Sequence, residues 1–295
     1  DINGAHIGRR THVEYPVVGD VKSTMAELLP LLKEKTDRSF LDSMLKKQQR
    51  NLKHVISAYT KNVSKHTPIH PEFLAYNLDD LADDDAIFTA DTGMCNVWHA
   101  RYIMAGPNRR LLASYRHGTM ANALPQAIGA QAADRKRQVI SMSGDGGLSM
   151  LMGELLTVKL HQLPIKMVVF NNSTLGMVKL EMMVQGIPDF GTDHAKFNYA
   201  DIARAVGIKS YRVEDPKDVR STLQEALAHP GPVLIDVQTD PNALSIPPDI
   251  SLEQVSGFTK AAVRTVLDGG VGKMINIANS NLRNIPRPSG FKGIG

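Results

Sequence analysis

Two apolar runs lead directly into side chains that can do chemistry. VISMSG (139–144) ends at Asp145, and KMVVFN (166–171) ends at Asn172. Neither residue helps an apolar strand. If the runs are neighbouring parallel strands, both side chains sit outside the strands' carboxyl ends, where open α/β sheets bind ligands. A carboxylate beside an amide carbonyl offers hard oxygen ligands, which suit Mg²⁺ or Ca²⁺ rather than zinc. Gly144, Gly146 and Gly147 flank the aspartate and let backbone N–H groups approach a phosphate closely, at the start of a helix. Together these residues describe a metal-bridged diphosphate site. A G-D-G alone is usually a turn, and N-N alone an ordinary loop. The pair, each after its own apolar strand, carries the reading.

The elements that must position them alternate from about residue 68. FLAYNLDDLA reads as a helix and AIFTAD as a strand; NVWHARYIM is a helix and RRLLAS a strand. TMANALPQAIGAQAAD is a helix of small residues, and SMLMGELLTVKLH joins the two chemistry-bearing strands. YADIARAVG, KSYRV, PKDVRSTLQEALAH and GPVLIDVQ continue the alternation. The pattern predicts an α/β domain over 68–250, a mainly parallel sheet flanked by helices. Its strands are short and continuously apolar because both faces are covered. Before it, Val21, Met25, Leu28, Leu29 and Leu32 mark a helical face, and residues 36–67 form a charged linker helix. After it, residues 251–295 form a tail with two helical patterns separated by DGG.

Composition bounds the function. The net charge of +4, from 34 basic and 30 acidic residues, is too balanced to argue for nucleic acid. A single cysteine, Cys95, cannot form an internal disulfide. The first residues, DINGAHIGRR, contain neither an initiator Met nor an apolar signal core, which reads as an internal start.

GDG followed after some two dozen residues by NN resembles the motif of thiamine diphosphate enzymes. GTMANALPQAIGA (118–130) and DTGMCNVWHARY (91–102) are similar to two further segments of that family. The resemblance implies that Asp145, Asn172 and the Thr174 carbonyl hold Mg²⁺. It places Gly93, Gly144, Gly146, Gly147, Gly176 and Met177 at the diphosphate, Gly118 at the aminopyrimidine, and Met120 beneath the bent cofactor. Ala121 departs from the family's usual glycine. Residues 1–35 resemble the end of a central domain that helps hold FAD. The activating glutamate of the family lies on a separate pyrimidine-binding domain, so this chain alone is expected to turn over little.

NNSTLGMVKLEM and the tail resemble the pyruvate oxidase and pyruvate:quinone dehydrogenase branch, with Glu181 near the substrate. That implies oxidative decarboxylation of pyruvate to acetate and CO₂, with electrons passing through FAD to quinone or O₂. The alternatives are an acetolactate synthase-type carboligase and an inactive assembly fragment. The family also implies a homodimer or homotetramer, located in the cytoplasm or peripherally at the inner face of the cell membrane. In the tail, Val271, Met274, Ile275, Ala278, Leu282 and Ile285 recur at helical spacing beside Lys273, Arg283 and Arg287. This stripe suits either a lipid interface or the protein's own surface. Cys95, Trp98, Met150, Met152, Met182 and Met183 read as packing, His117 as a satisfied loop histidine rather than a cofactor neighbour, and Met177 and Val178 as pocket lining.

Overall fold

The computed structural model describes residues 1–60, 66–244 and 252–281, and the chain divides into two compact units between Asn51 and Leu52. In the first, α1 (Val21–Leu28) starts at Asp20, whose side chain accepts from the Ser23 amide. The predicted apolar face runs past this helix, but Pro30 lies in a following 3-10 turn, Leu29–Leu31. Proline's missing N–H and fixed φ explain the change. The helix α2 (Ser39–Thr60) crosses the division.

The second unit is built on six parallel strands: β1 (Ile87–Ala90), β2 (Arg110–Ala113), β3 (Val139–Gly144), β4 (Lys166–Asn171), β5 (Lys209–Val213) and β6 (Val233–Gln238). Their order is β2-β1-β3-β4-β6-β5. Side-chain alternation divides the core between two faces. Phe88, Ile140, Met142, Val168, Phe170 and Ile235 face α3 (Pro71–Leu81), α4 (Met94–Tyr102) and α10 (Val219–Ala228). Ile87, Val139, Met167, Val169 and Leu234 face α5 (Ala123–Ala133), α7 (Glu154–Leu160) and α9 (Tyr199–Ala205). Burying one such side chain is worth about 1.5–3 kcal/mol. The strands read as unbroken apolar runs because both faces are covered.

The helix predicted over SMLMGELLTVKLH is two helices. α6 (Asp145–Met150) begins at the aspartate itself, and α7 follows a turn through Gly153. The break falls at Leu151, whose φ of -126° and ψ of 33° leave the helical region, while Gly153 itself keeps helical angles.

The predicted tail helices are α11 (Leu252–Leu267) and α12 (Val271–Asn281), packed beside α8 (Gly176–Val184). Met274 and Ile277 meet Leu180, Met183 and Phe258, while Val271, Ile275 and Ala278 are exposed. Lys273 is bound to Asp189 at 2.6 Å. Leu282, Arg283, Ile285 and Arg287 lie outside the described residues. Among the described residues no helix is long and apolar enough to cross a membrane.

Candidate functional site

The register pairs Gly144 of β3 with Phe170 of β4, so Asp145 and Asn172 follow adjacent strands at the same end of the sheet. β1 and β3 are also neighbours, although the chain runs out to the edge strand β2 between them. Such a reversal leaves a crevice at the carboxyl ends of the strands. A cleft of about 640 Å³, counted with its open mouth, lies there.

Gly93, Met120, Gly144, Asp145, Gly146, Gly147, Asn172, Thr174, Gly176, Met177 and Val178 line it. Gly118 stands just behind the wall, where an added Cβ would come 3.8 Å from the Thr92 side chain. Glu181 is exposed and not on the wall, one helical turn beyond Val178. Cys95 and Trp98 are buried packing residues that also line the cleft. Burial pushes the Cys95 thiol well up, and the Asp91 charge adds to this.

The two loop tips are joined directly. One Asp145 oxygen accepts from the Gly146 amide at 2.9 Å, the other from the Ser173 amide at 2.6 Å. Ser173 has a left-handed φ of 55°, which turns the chain sharply between Asn172 and Thr174. The Asn172 side-chain oxygen accepts from the Thr174 amide at 3.1 Å. Residues 192–194 strap the loop from outside. Thr192 O accepts from the Leu175 amide, and the His194 amide donates to Ser173 O. The His194 ring nitrogen Nε2 lies 3.5 Å from Asp145. Burial raises the Asp145 carboxyl above its ordinary range; His194, Gly146 and Ser173 pull against this.

The glycines have a packing reason as well. A Cβ on Gly147 would lie 2.4 Å from the Asp91 carboxylate, and one on Gly146 would lie 2.8 Å from Leu175 and 3.7 Å from Met120. Asp91 is buried and accepts from the Ala123 amide at 2.8 Å, so it fixes β1 against the start of α5. Burial raises its pKa. Asp91, Thr239 and Asp240 line the cleft but were not among the predicted site residues. Each follows an apolar strand, and the pattern that singled out Asp145 and Asn172 also finds them. His194 has no comparable sequence signal.

Residues 91–237, from Asp91 at the cleft to Val237 in β6, match the family described as thiamine pyrophosphate enzyme, C-terminal TPP binding domain. The chain belongs to the thiamine pyrophosphate enzyme family. Its domain is similar to that of YdaP of Bacillus subtilis, provisionally named as a thiamine pyrophosphate-containing protein, with 31% identity over 280 residues, 95% of this chain and 48% of that protein. The acetolactate synthase large subunit of Porphyra purpurea is 33% identical over 276 residues, 88% of this chain and 45% of the relative. For the acetolactate synthase isozyme 1 large subunit of Escherichia coli, identity is 31% over 243 residues, 81% and 42%. This thiamine pyrophosphate enzyme chain therefore spans just under half the length of these relatives.

These names correct the expected pyruvate oxidase or pyruvate:quinone dehydrogenase activity. Acetolactate synthase large subunits point instead to a carboligase. The physical reason lies in the motifs themselves. The resemblance carried by G-D-G, N-N and the glycines concerns a diphosphate site that every branch of the family would share, and it does not report on the fate of the substrate.

Proposed function

We propose that this chain supplies the diphosphate-holding part of a thiamine pyrophosphate-dependent carboligase of the acetolactate synthase type. The supporting observation is the Ser173–Asp145 hydrogen bond, which brings Asp145 beside the loop bearing Asn172 and Thr174. The carboligase reading draws on the named relatives. One carboxylate, one side-chain amide oxygen and one backbone carbonyl form a hard donor set that fits Mg²⁺. Among the described residues no group of three His, Cys, Asp or Glu competes with it. Asp145, Asn172 and the Thr174 carbonyl would hold the ion; Gly93, Gly144, Gly146, Gly147, Gly176 and Met177 would surround the diphosphate. Met120 would support the rings, with Gly118 behind it.

When bound, thiamine pyrophosphate supplies the nucleophilic carbon that allows a 2-oxo acid to lose CO₂. The chain's own residues orient the diphosphate, neutralise it through the metal and wall off water. Glu181, exposed one turn beyond Val178, would meet the substrate rather than the diphosphate. Two pyruvate anions and one proton would give one acetolactate anion and one CO₂. No electrons leave the substrates, so FAD is not needed as an electron carrier and neither quinone nor O₂ is an acceptor.

The test is product analysis with pyruvate, thiamine pyrophosphate and Mg²⁺, using protein expressed from the whole reading frame. Acetolactate without acceptor reduction is expected. Acetate formed with stoichiometric acceptor reduction would refute the carboligase reading.

A further inference from the structure

One fully buried carboxylate stands behind the cleft and does not line it. Asp236, in β6, is 0% exposed. An apolar strand between two neighbours is a costly place for a charge unless every oxygen is engaged. Its Oδ1 accepts from the Asn171 side-chain amide at 2.9 Å. Its Oδ2 accepts from the Tyr199 backbone amide at 2.9 Å and from Arg212 at 2.9 Å. Burial still holds the carboxyl above its ordinary range, against Asn171, Arg212 and the amides of Tyr199 and Ala200.

Two of these three contacts lead to the cleft. Asn171 is the residue before Asn172, and its amide also donates to Phe197 O at 3.0 Å. Tyr199 is 2% exposed, and its hydroxyl donates to the backbone carbonyl of Asp145 at 3.1 Å. Asp236 thus touches the base of one loop tip and, through Tyr199, the backbone of the other.

We propose that Asp236 and Tyr199 are positioning residues that fix the separation of the Asp145 and Asn172 tips, and hence the affinity of the site for its divalent ion. The inference rests on the magnesium reading above. Residues outside the ligand shell that orient ligands typically cost about 10–100-fold in metal affinity when lost. Tyr199 holds a ligand residue through a single hydroxyl, so about tenfold is the expected effect.

The experiment is a Mg²⁺ titration of thiamine pyrophosphate binding, followed by calorimetry, on the full chain and on Tyr199→Phe, Asp236→Asn and Asp145→Ala. Tyr199→Phe keeps the ring's packing and removes only the hydroxyl. It should raise the half-saturating Mg²⁺ about tenfold, restore cofactor affinity at saturating Mg²⁺, and leave the metal-free melting temperature nearly unchanged. A purely structural role would move the melting temperature and not the Mg²⁺ midpoint, which would overturn the inference. Asp236→Asn should shift the midpoint in the same direction; if it does not fold, Tyr199→Phe alone decides. An unchanged midpoint in Tyr199→Phe, with the Mg²⁺ dependence lost in Asp145→Ala, overturns the positioning role and leaves the metal site standing. An unchanged midpoint in Asp145→Ala overturns the metal site and the inference with it.

Discussion

The Ser173 backbone amide donates to the Asp145 carboxylate across 2.6 Å, linking residues 28 apart in sequence. This bond makes two strand ends into one site. It uses one lone pair of a carboxylate that also accepts from Gly146, and it leaves the carboxylate beside His194. Ser173 adopts the left-handed conformation at the point where the loop meets Asp145.

Gly147 admits no side chain. A methyl there would sit 2.4 Å from the Asp91 carboxylate, which is itself fixed by Ala123. Overpacking of this kind costs about 1–3 kcal/mol. Gly147→Ala is therefore expected to lower stability by that amount in chemical denaturation, and to weaken thiamine pyrophosphate binding because α6 must shift.

Ala121 occupies a left-handed turn with φ of 59°. That conformation costs an L-residue about 1–2 kcal/mol. Replacing Ala by Gly gives back about 0.4–1 kcal/mol through greater freedom of the unfolded chain. The balance favours glycine, and Ala121→Gly is expected to stabilise the protein by up to about 1.6 kcal/mol, read by the same denaturation.

His99 is fully buried, packs against Phe88, and has no hydrogen-bond partner for either ring nitrogen among the described residues. Burial lowers its pKa from 6.5 to about 4. The fold holds the neutral ring, while the unfolded chain takes up a proton below 6.5. The stability this represents is complete above pH 6.5 and is lost as the pH falls towards 4, by up to about 3 kcal/mol. His99→Leu should flatten the acid limb of the stability curve over that window, followed by thermal melts from pH 7 to pH 4. An unaltered limb would show that other groups set it.

Glu181 is exposed, one turn beyond the cleft-lining Val178. Glu181→Gln is expected to raise KM for the 2-oxo acid by roughly threefold while cofactor affinity stays within about twofold, the pattern of a lost substrate contact. Steady-state kinetics and calorimetry together separate the two effects.

Much of this was legible in the sequence, for identifiable reasons. The strands were readable because both faces of the sheet are covered, and Asp145 and Asn172 stood out against apolar runs. The split between α6 and α7 was not, since the apolar pattern of SMLMGELLTVKLH continues through Gly153. Contacts formed only by folding were also hidden. Asp236 meets Asn171 across 65 residues, and Tyr199 meets Asp145 across 54. In the sequence Asp236 is one charge interrupting an apolar strand. The tail stripe was misaligned by its heptad-like spacing: Ile277, omitted from it, is buried, while Val271 and Ile275 are exposed.

The most direct test is calorimetric titration of thiamine pyrophosphate, with and without Mg²⁺, into the full chain and its Asp145→Ala and Asn172→Ala variants. Each substitution should abolish the Mg²⁺-dependent part of binding, a larger loss than the roughly 10–100-fold associated with an outer-shell partner. Mg²⁺-dependent uptake equal to the parent's in either variant would contradict a site built from both strand ends.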